Sequence, residues 1–146
     1  MAQLAVHDDV IKAFQDVSKR PQKSTFLVAV LNEAKNEFIL KTAGAKTATF
    51  DDFKSEMMGQ PAYGVVDFKW DRDDGRKGTS IVAVNYNPDS GEAQAKFILA
   101  NNFMNFQSKV QPTNKSKQIN DDADFTYEEF KEECEWTMNH RPHLAR

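Results

Sequence analysis

The side chains that most often perform acid–base or metal chemistry are sparse in this sequence, which has three histidines and one cysteine. His7 stands alone near the start, whereas His140 and His143 lie in a Pro-containing stretch near the C-terminus. A zinc ion needs three or four converging ligands, and the stretch "HRPH" offers two. We therefore expect no metal site and no cofactor.

Nucleophilic and phosphate chemistry are not indicated either. Cys134 lies on the apolar stripe of a helical pattern, where a packed thiol is expected, and no base with an orienting group accompanies it. The glycines match neither GxGxxG nor GxxxxGK[ST]. The acidic stretches "DRDDGR" and "NDDAD" are typical of solvated turns, and position 12 of a calcium loop would be occupied by Val82. The sequence predicts a protein that is not an enzyme.

Composition favours a single compact domain. The chain has 146 residues, of which 40% are hydrophobic, enough for one buried core. It has no apolar run of about 18 residues, and its first residues carry charge where a signal peptide would be apolar. We expect a cytoplasmic protein without stable membrane association. A net charge of −3 gives no general attraction to nucleic acid.

Hydrophobic periodicity predicts a mixed α/β domain. A helix is expected from Asp8, with Asp8 or Asp9 as its cap, and Thr49 is expected to cap a second helix. Two pairs of apolar β-forming segments, "TFLVAVL" with "EFILKT" and "AYGVVDFKW" with "SIVAVNYN", are typical of hairpins. The order α-ββ-α-ββ-α-(β)-α implies a central five- to six-stranded mixed sheet with helices on both faces. We assign one domain to residues 1–138 and a short tail to residues 139–146.

The segment "GEAQAKFILANNFMNF", residues 91–106, predicts a helix with two apolar faces. At about 100° per residue, Leu99, Phe103 and Phe106 form one stripe. Phe97 and Met104 lie nearly opposite that stripe. One face suffices to cover a sheet, so the second face is either a binding surface or is covered by the protein's own tail.

With these elements in order, the chain resembles the actin-depolymerizing factor/cofilin family along nearly its whole length. The matching segments are, in order, "AVHDDVIKAFQDVSKR", "FLVAVLNEAKNEFIL", "TFDDFKSEM", "YGVVDFKW", "IVAVNYNPDSGEAQAKFILAN" and "YEEFKEEC". No single motif decides the resemblance, but their order and spacing are specific. The resemblance implies the ADF-homology fold, a non-enzymatic function and actin as the partner.

The resemblance also implies a site for actin monomers. In this family one face of the long helix packs on the sheet, and the other enters the apolar cleft between two actin subdomains. By position, the residues implied are Ala2, Gln3, Leu4, Gln94, Lys96, Phe97, Asn101 and Met104.

The implied filament site departs from the family's pattern. Relatives combine basic residues at the start of the fourth strand with basic residues in the final helix. Here Gly78 and Ser80 stand at the strand positions, while Arg76 and Lys77 are displaced into the turn. The final helix offers Lys131 together with Glu132, Glu133 and Trp136. We therefore expect weak filament binding and severing.

Regulation is expected to differ as well. The family typically carries an early serine whose phosphorylation blocks actin binding, but no Ser or Thr precedes Ser18 in this sequence. Gln94, Phe103, Gln107 and Ser108 stand where relatives often have Lys or Arg, which weakens the case for phosphoinositide binding.

The resulting prediction is a monomeric cytoskeletal protein that binds actin monomers through the long helix and promotes filament depolymerization and turnover. The alternatives are a coactosin-like filament binder and a glia-maturation-factor-like debranching protein. A small α/β enzyme is a third possibility, opposed by the missing nucleophile–base pair.

Overall fold

The computed structural model describes residues 3–140. Along the chain the elements are β1 (Ala5–Val6), α1 (Asp8–Ser18), β2 (Phe26–Leu31), β3 (Glu37–Ala43), α2 (Phe50–Met57), β4 (Ala62–Asp71), β5 (Lys77–Tyr86), α3 (Ala93–Lys109), β6 (Lys115–Ile119), a 3-10 turn (Asp122–Asp124) and α4 (Tyr127–His140). The predicted order of helices and hairpins is confirmed. Within this range, no helix is both long enough and apolar enough to cross a membrane.

The strands form one six-stranded mixed sheet in the order β1-β3-β2-β4-β5-β6. The two outer pairs, β1–β3 and β5–β6, are parallel, and the inner pairs are antiparallel. The mixed sheet is thus as predicted, at the upper end of the predicted strand number.

Each face of the sheet carries its own core. On one face, α1 contributes Val10 and Phe14, and α3 contributes Leu99 and Phe106. On the other face, the core residues from α2 and α4 include Phe53, Met57, Phe130 and Cys134. Helices therefore cover both faces, and α3 and α4 lie on opposite sides of the sheet.

The predicted cap of α2 is confirmed, and the predicted cap of α1 needs a correction. Thr49 caps α2 in a capping box with Asp52, as the pattern "TFDD" predicts. The predicted cap of α1 was wrong, because His7 accepts the hydrogen bond from the Asp9 amide. The last helix, α4, continues through Asn139 and His140, two residues beyond the predicted domain boundary after Met138. Residues 141–146, including His143, lie outside the described range.

The β4–β5 hairpin projects beyond its neighbours. Strand β2 pairs with residues 63–66 of β4, and β6 pairs with residues 82–86 of β5. Residues 67–81 therefore form an extended arm, closed by a turn in which Gly75 adopts a positive φ of 88°. The arm reaches the last turns of α4, since Arg72 contacts Glu135 and Asn139.

Candidate functional site

The second apolar face of α3 is exposed on the surface of the domain. Phe97 is 58% exposed and Met104 85% exposed, whereas Leu99 and Phe106 on the opposite side are at most 1% exposed. Because two large apolar side chains are exposed on one stripe of the helix, this face is a candidate binding surface. The predicted division of α3 into two faces is confirmed.

Aromatic packing and one side-chain hydrogen bond fix the orientation of this helix. The Tyr63 hydroxyl, on β4, donates to the backbone carbonyl of Leu99. Its ring lies 4.7 Å from the Phe106 ring and 5.3 Å from the Phe103 ring, between centroids. Burial raises the pKa of Tyr63 far above its usual value, so its hydroxyl remains a donor even at strongly alkaline pH.

Polar side chains frame the exposed face. Gln94 and Asn101 are exposed, and Asn101 donates to the Phe97 carbonyl at 2.8 Å. Lys96 donates to the Asp89 carbonyl at 3.1 Å, which holds its stem along the first turn of α3. The implied α3 residues therefore share one surface, or border it in the case of Lys96.

The N-terminal segment lies against α3. The Leu4 amide donates to Asn102 Oδ1 at 3.0 Å, and Asn105 Nδ2 donates to the Leu4 carbonyl at 2.8 Å. Gln3 is exposed beside this contact, while Ala2 lies outside the described residues. Sequence reasoning missed both asparagines. The sequence did contain a signal for them, because Asn102 and Asn105 are polar residues on the side of α3 that faces the protein core.

The basic residues of the implied filament surface are paired with nearby carboxylates. Arg76 Nη2 lies 2.6 Å from Asp74 Oδ2, Lys77 pairs with Asp71, and Lys131 lies 3.2 Å from Asp73. The Arg76 hydrogen bonds lower the pKa of Asp74 to about 2, so this aspartate stays ionised well into the acidic range. These pairs reduce the positive potential that the hairpin presents.

Two residues of the implied filament site are inaccessible, which corrects that assignment. Ser80 is 3% exposed on the sheet face covered by α4. Gly78 lies under the Trp70 indole, and a Cβ built on it would come within 2.4 Å of Trp70 Cε2. By strand alternation residues 78 and 80 share the face of Val82, and the structure shows that this face belongs to the core.

The outer side of α4 is acidic and aromatic. Glu132 is exposed, and Glu133 binds Lys117 at 2.7 Å. Trp136 is 53% exposed and stacks on His140 with ring centroids 4.4 Å apart. His140 is thus part of the helix surface, which corrects its assignment to a tail.

Hydrogen bonds join the β4–β5 hairpin to α4, and the sequence did not predict them. Glu135, only 8% exposed, accepts from the Asp73 amide at 3.0 Å and lies 3.5 Å from Arg72 Nε. Arg72 also donates to Asn139 at 2.9 Å. These bonds join the two parts of the implied filament surface into one unit.

Cys134 is packed inside the domain, as its place on the apolar stripe predicts. It is 2% exposed, and burial raises the pKa of its thiol to about 11. A protonated, enclosed thiol is a poor nucleophile. In the described part of the chain, no three His, Cys, Asp or Glu side chains group as metal ligands.

A known protein family matches this chain along most of its length. The family model described as cofilin/tropomyosin-type actin-binding protein matches residues 3–135, which is most of the chain. The chain belongs to the cofilin/ADF family. It is thus a member of a non-enzymatic, actin-binding family, and the resemblance drawn from the sequence is confirmed.

Curated cofilin/ADF relatives align over most of their length. Cofilin of Yarrowia lipolytica is 26% identical over 131 residues, covering 88% of this chain and 84% of that protein. Actophorin of Acanthamoeba castellanii is 24% identical over 131 residues, covering 84% of this chain and 93% of actophorin.

Solved structures of the cofilin/ADF fold superpose well. The crystal structure of Streptomyces griseoflavus cofilin gives a TM-score of 0.77 at 16% identity, covering 89% of this chain and 96% of that one. Human coactosin-like protein has the same fold, with a TM-score of 0.73 at 12% identity, covering 89% and 96%. Glia maturation factor of Caenorhabditis elegans gives 0.59 at 16% identity, covering 83% and 88%. At these identities the likeness shows the fold alone.

Proposed function

We propose that this cofilin/ADF-family protein binds actin monomers through the exposed face of α3 and the N-terminal segment, and thereby promotes filament depolymerization and turnover. It acts as a monomer in the cytoplasm, at the cytoskeleton. The observation that carries the proposal is the exposure of Phe97 and Met104 on the side of α3 opposite the core.

The chemistry of this face suits a helix-in-groove contact. Phe97 and Met104 offer apolar area, and Gln94, Lys96 and Asn101 surround it with polar groups that remain satisfied at a rim. Complete burial of an exposed Phe side chain contributes about 1.5–3 kcal/mol. Because Phe97 is already partly covered, its contribution falls at the lower end of that range.

The hairpin and α4 support a weaker contact with a second actin subunit. Severing a filament requires attachment to two neighbouring subunits, and actin's surface is acidic. On this side the basic residues Arg76, Lys77 and Lys131 are each paired with an aspartate, and Glu132 is exposed. Since rim charge pairs contribute about 0.2–1 kcal/mol each, several unfavourable ones lower filament affinity about tenfold or more.

The test is a titration of labelled actin monomers with Phe97→Ala. We expect binding about tenfold weaker than wild type, because a gap of about 1.4 kcal/mol corresponds to a factor of ten. Trp136→Ala is the matched control, since it removes another half-exposed aromatic side chain from α4. Trp136→Ala should bind monomers as the wild type does.

Other outcomes separate the family's alternatives. Equal monomer affinity of wild type and Phe97→Ala would remove the α3 assignment. Binding to filaments without binding to monomers would instead favour a coactosin-like function. Binding to the branch-nucleating complex with little affinity for actin would favour a glia-maturation-factor-like function.

A further inference from the structure

We infer that Asn102 and Asn105 are positioning residues that clamp the N-terminal segment to α3, so that this segment and the helix present one preformed surface. The inference rests on the proposed monomer binding. It explains how the N-terminal residues come to take part in that contact: Asn102 and Asn105, which do not themselves touch actin, hold them in place.

The clamp holds the backbone of a single residue from both sides. The Leu4 amide donates to Asn102 Oδ1 at 3.0 Å, and the Leu4 carbonyl accepts from Asn105 Nδ2 at 2.8 Å. The pairing of β1 with β3 begins only at Ala5. The two asparagines therefore extend the fixed part of the chain by one residue beyond the sheet, toward its N-terminus.

Both asparagine side chains are largely shielded from water, so their hydrogen bonds contribute to holding the segment in place. Asn102 is 1% exposed and Asn105 is 9% exposed. While the segment stays in place, removing either amide leaves a Leu4 backbone group without its partner, which costs free energy. Leu4 adds apolar contact, since its partly buried side chain packs against the core between the sheet and α3.

The clamp sets the segment beside the exposed face. Asn105 is four positions from Asn101, and Asn101 is four positions from Phe97 and three from Met104. Residues three or four apart are neighbours on a helix surface. The backbone of Leu4 therefore runs along the edge of the surface that carries Phe97 and Met104. Without the clamp, ordering this segment would cost conformational entropy at the moment of binding.

The first test removes the donor and measures the segment directly. In Asn105→Ala, hydrogen exchange of the amides from Leu4 to His7 should accelerate. Asn105→Asp keeps the side-chain shape but has no donor for the Leu4 carbonyl, so it should accelerate exchange as well. Asn114→Ala is the matched control: Asn114 accepts from the Ile81 amide at 2.8 Å, remote from the segment. It should leave exchange at residues 4–7 unchanged.

The second test measures binding to actin monomers. Loss of one buried hydrogen bond should weaken the affinity of Asn105→Ala about three- to tenfold. Leu4→Pro removes the amide bonded to Asn102 and releases the segment by another route. If the asparagine acts through the segment, Asn105→Ala should cause little further loss in the Leu4→Pro background.

The outcomes distinguish the clamp from the proposed function. Unchanged exchange at residues 4–7 in Asn105→Ala would overturn the clamp. Faster exchange with wild-type affinity would overturn its role in binding, while a defect in Phe97→Ala would leave the α3 site standing. Additive losses in the double variant would show that Asn105 acts otherwise than through the segment. A wild type that does not bind monomers would overturn the proposed function, and exchange would still report on the clamp.

Discussion

At the scale of single residues, packing leaves no room for a side chain at Gly78, one of the positions of the implied filament site. A Cβ at position 78 would lie 2.4 Å from Trp70 Cε2, and Trp70 is itself 3% exposed. We expect Gly78→Ala to lower the free energy of unfolding by about 1–3 kcal/mol, because the indole must move within a packed core. Urea denaturation measures the change. Lys77→Ala, at the exposed neighbouring position, is the control and should unfold close to wild type. A Gly78→Ala protein as stable as wild type would mean that the indole moves aside at little cost.

At the scale of elements, the hairpin and α4 form one surface, and we predict that its charge sets the affinity for filaments. Glu132 is exposed on α4, and its carboxylate forms no ion pair within residues 3–140. Glu132→Arg should raise affinity for filaments about two- to fivefold at low salt, because it replaces repulsion from acidic actin with attraction, and the gain should shrink as salt screens it. Co-sedimentation with filaments measures this, with monomer affinity unchanged. Glu33→Arg, in the exposed turn after β2, makes the same change in net charge and should have no effect. Equal gains in both variants would attribute the effect to net charge alone.

At the scale of the whole molecule, stability should fall at alkaline pH. Burial raises the pKa of Cys134 from 9.0 to about 11, and burial with the bond to Asp122 raises that of Tyr86 from 10.0 to about 12. The unfolded chain therefore loses these protons at lower pH than the native protein, so their contribution is complete below about pH 9 and is lost as pH rises through about 11–12. Thermal melts from pH 8 to 11 should show a falling Tm, and the fall should be smaller in Cys134→Ala. A Tm that stays constant to pH 11 would contradict this account.

Local sequence was sufficient for the four helices, the two hairpins and the two faces of α3. Helical periodicity separates Phe97 and Met104 from Leu99 and Phe106 within a few turns, and the cap at Thr49 depends on a residue three positions away. Such features depend on backbone geometry that neighbouring residues determine. They could therefore be predicted before any tertiary contact was known.

Tertiary structure decided what depends on residues far apart in the chain. Asn102 meets Leu4 across 98 positions, and Arg72 meets Glu135 across 63. Strand alternation alone could not show that α4 covers the face carrying Ser80. Alternation assigns residues to two faces of a sheet, but it does not say which helix packs on which face. Ion pairs also depend on distant residues. The sequence shows Lys131 as the one Lys or Arg of its helix, and only the folded hairpin places Asp73 3.2 Å from it. Side-chain partners of this kind follow from where the chain folds, which no short stretch of sequence encodes.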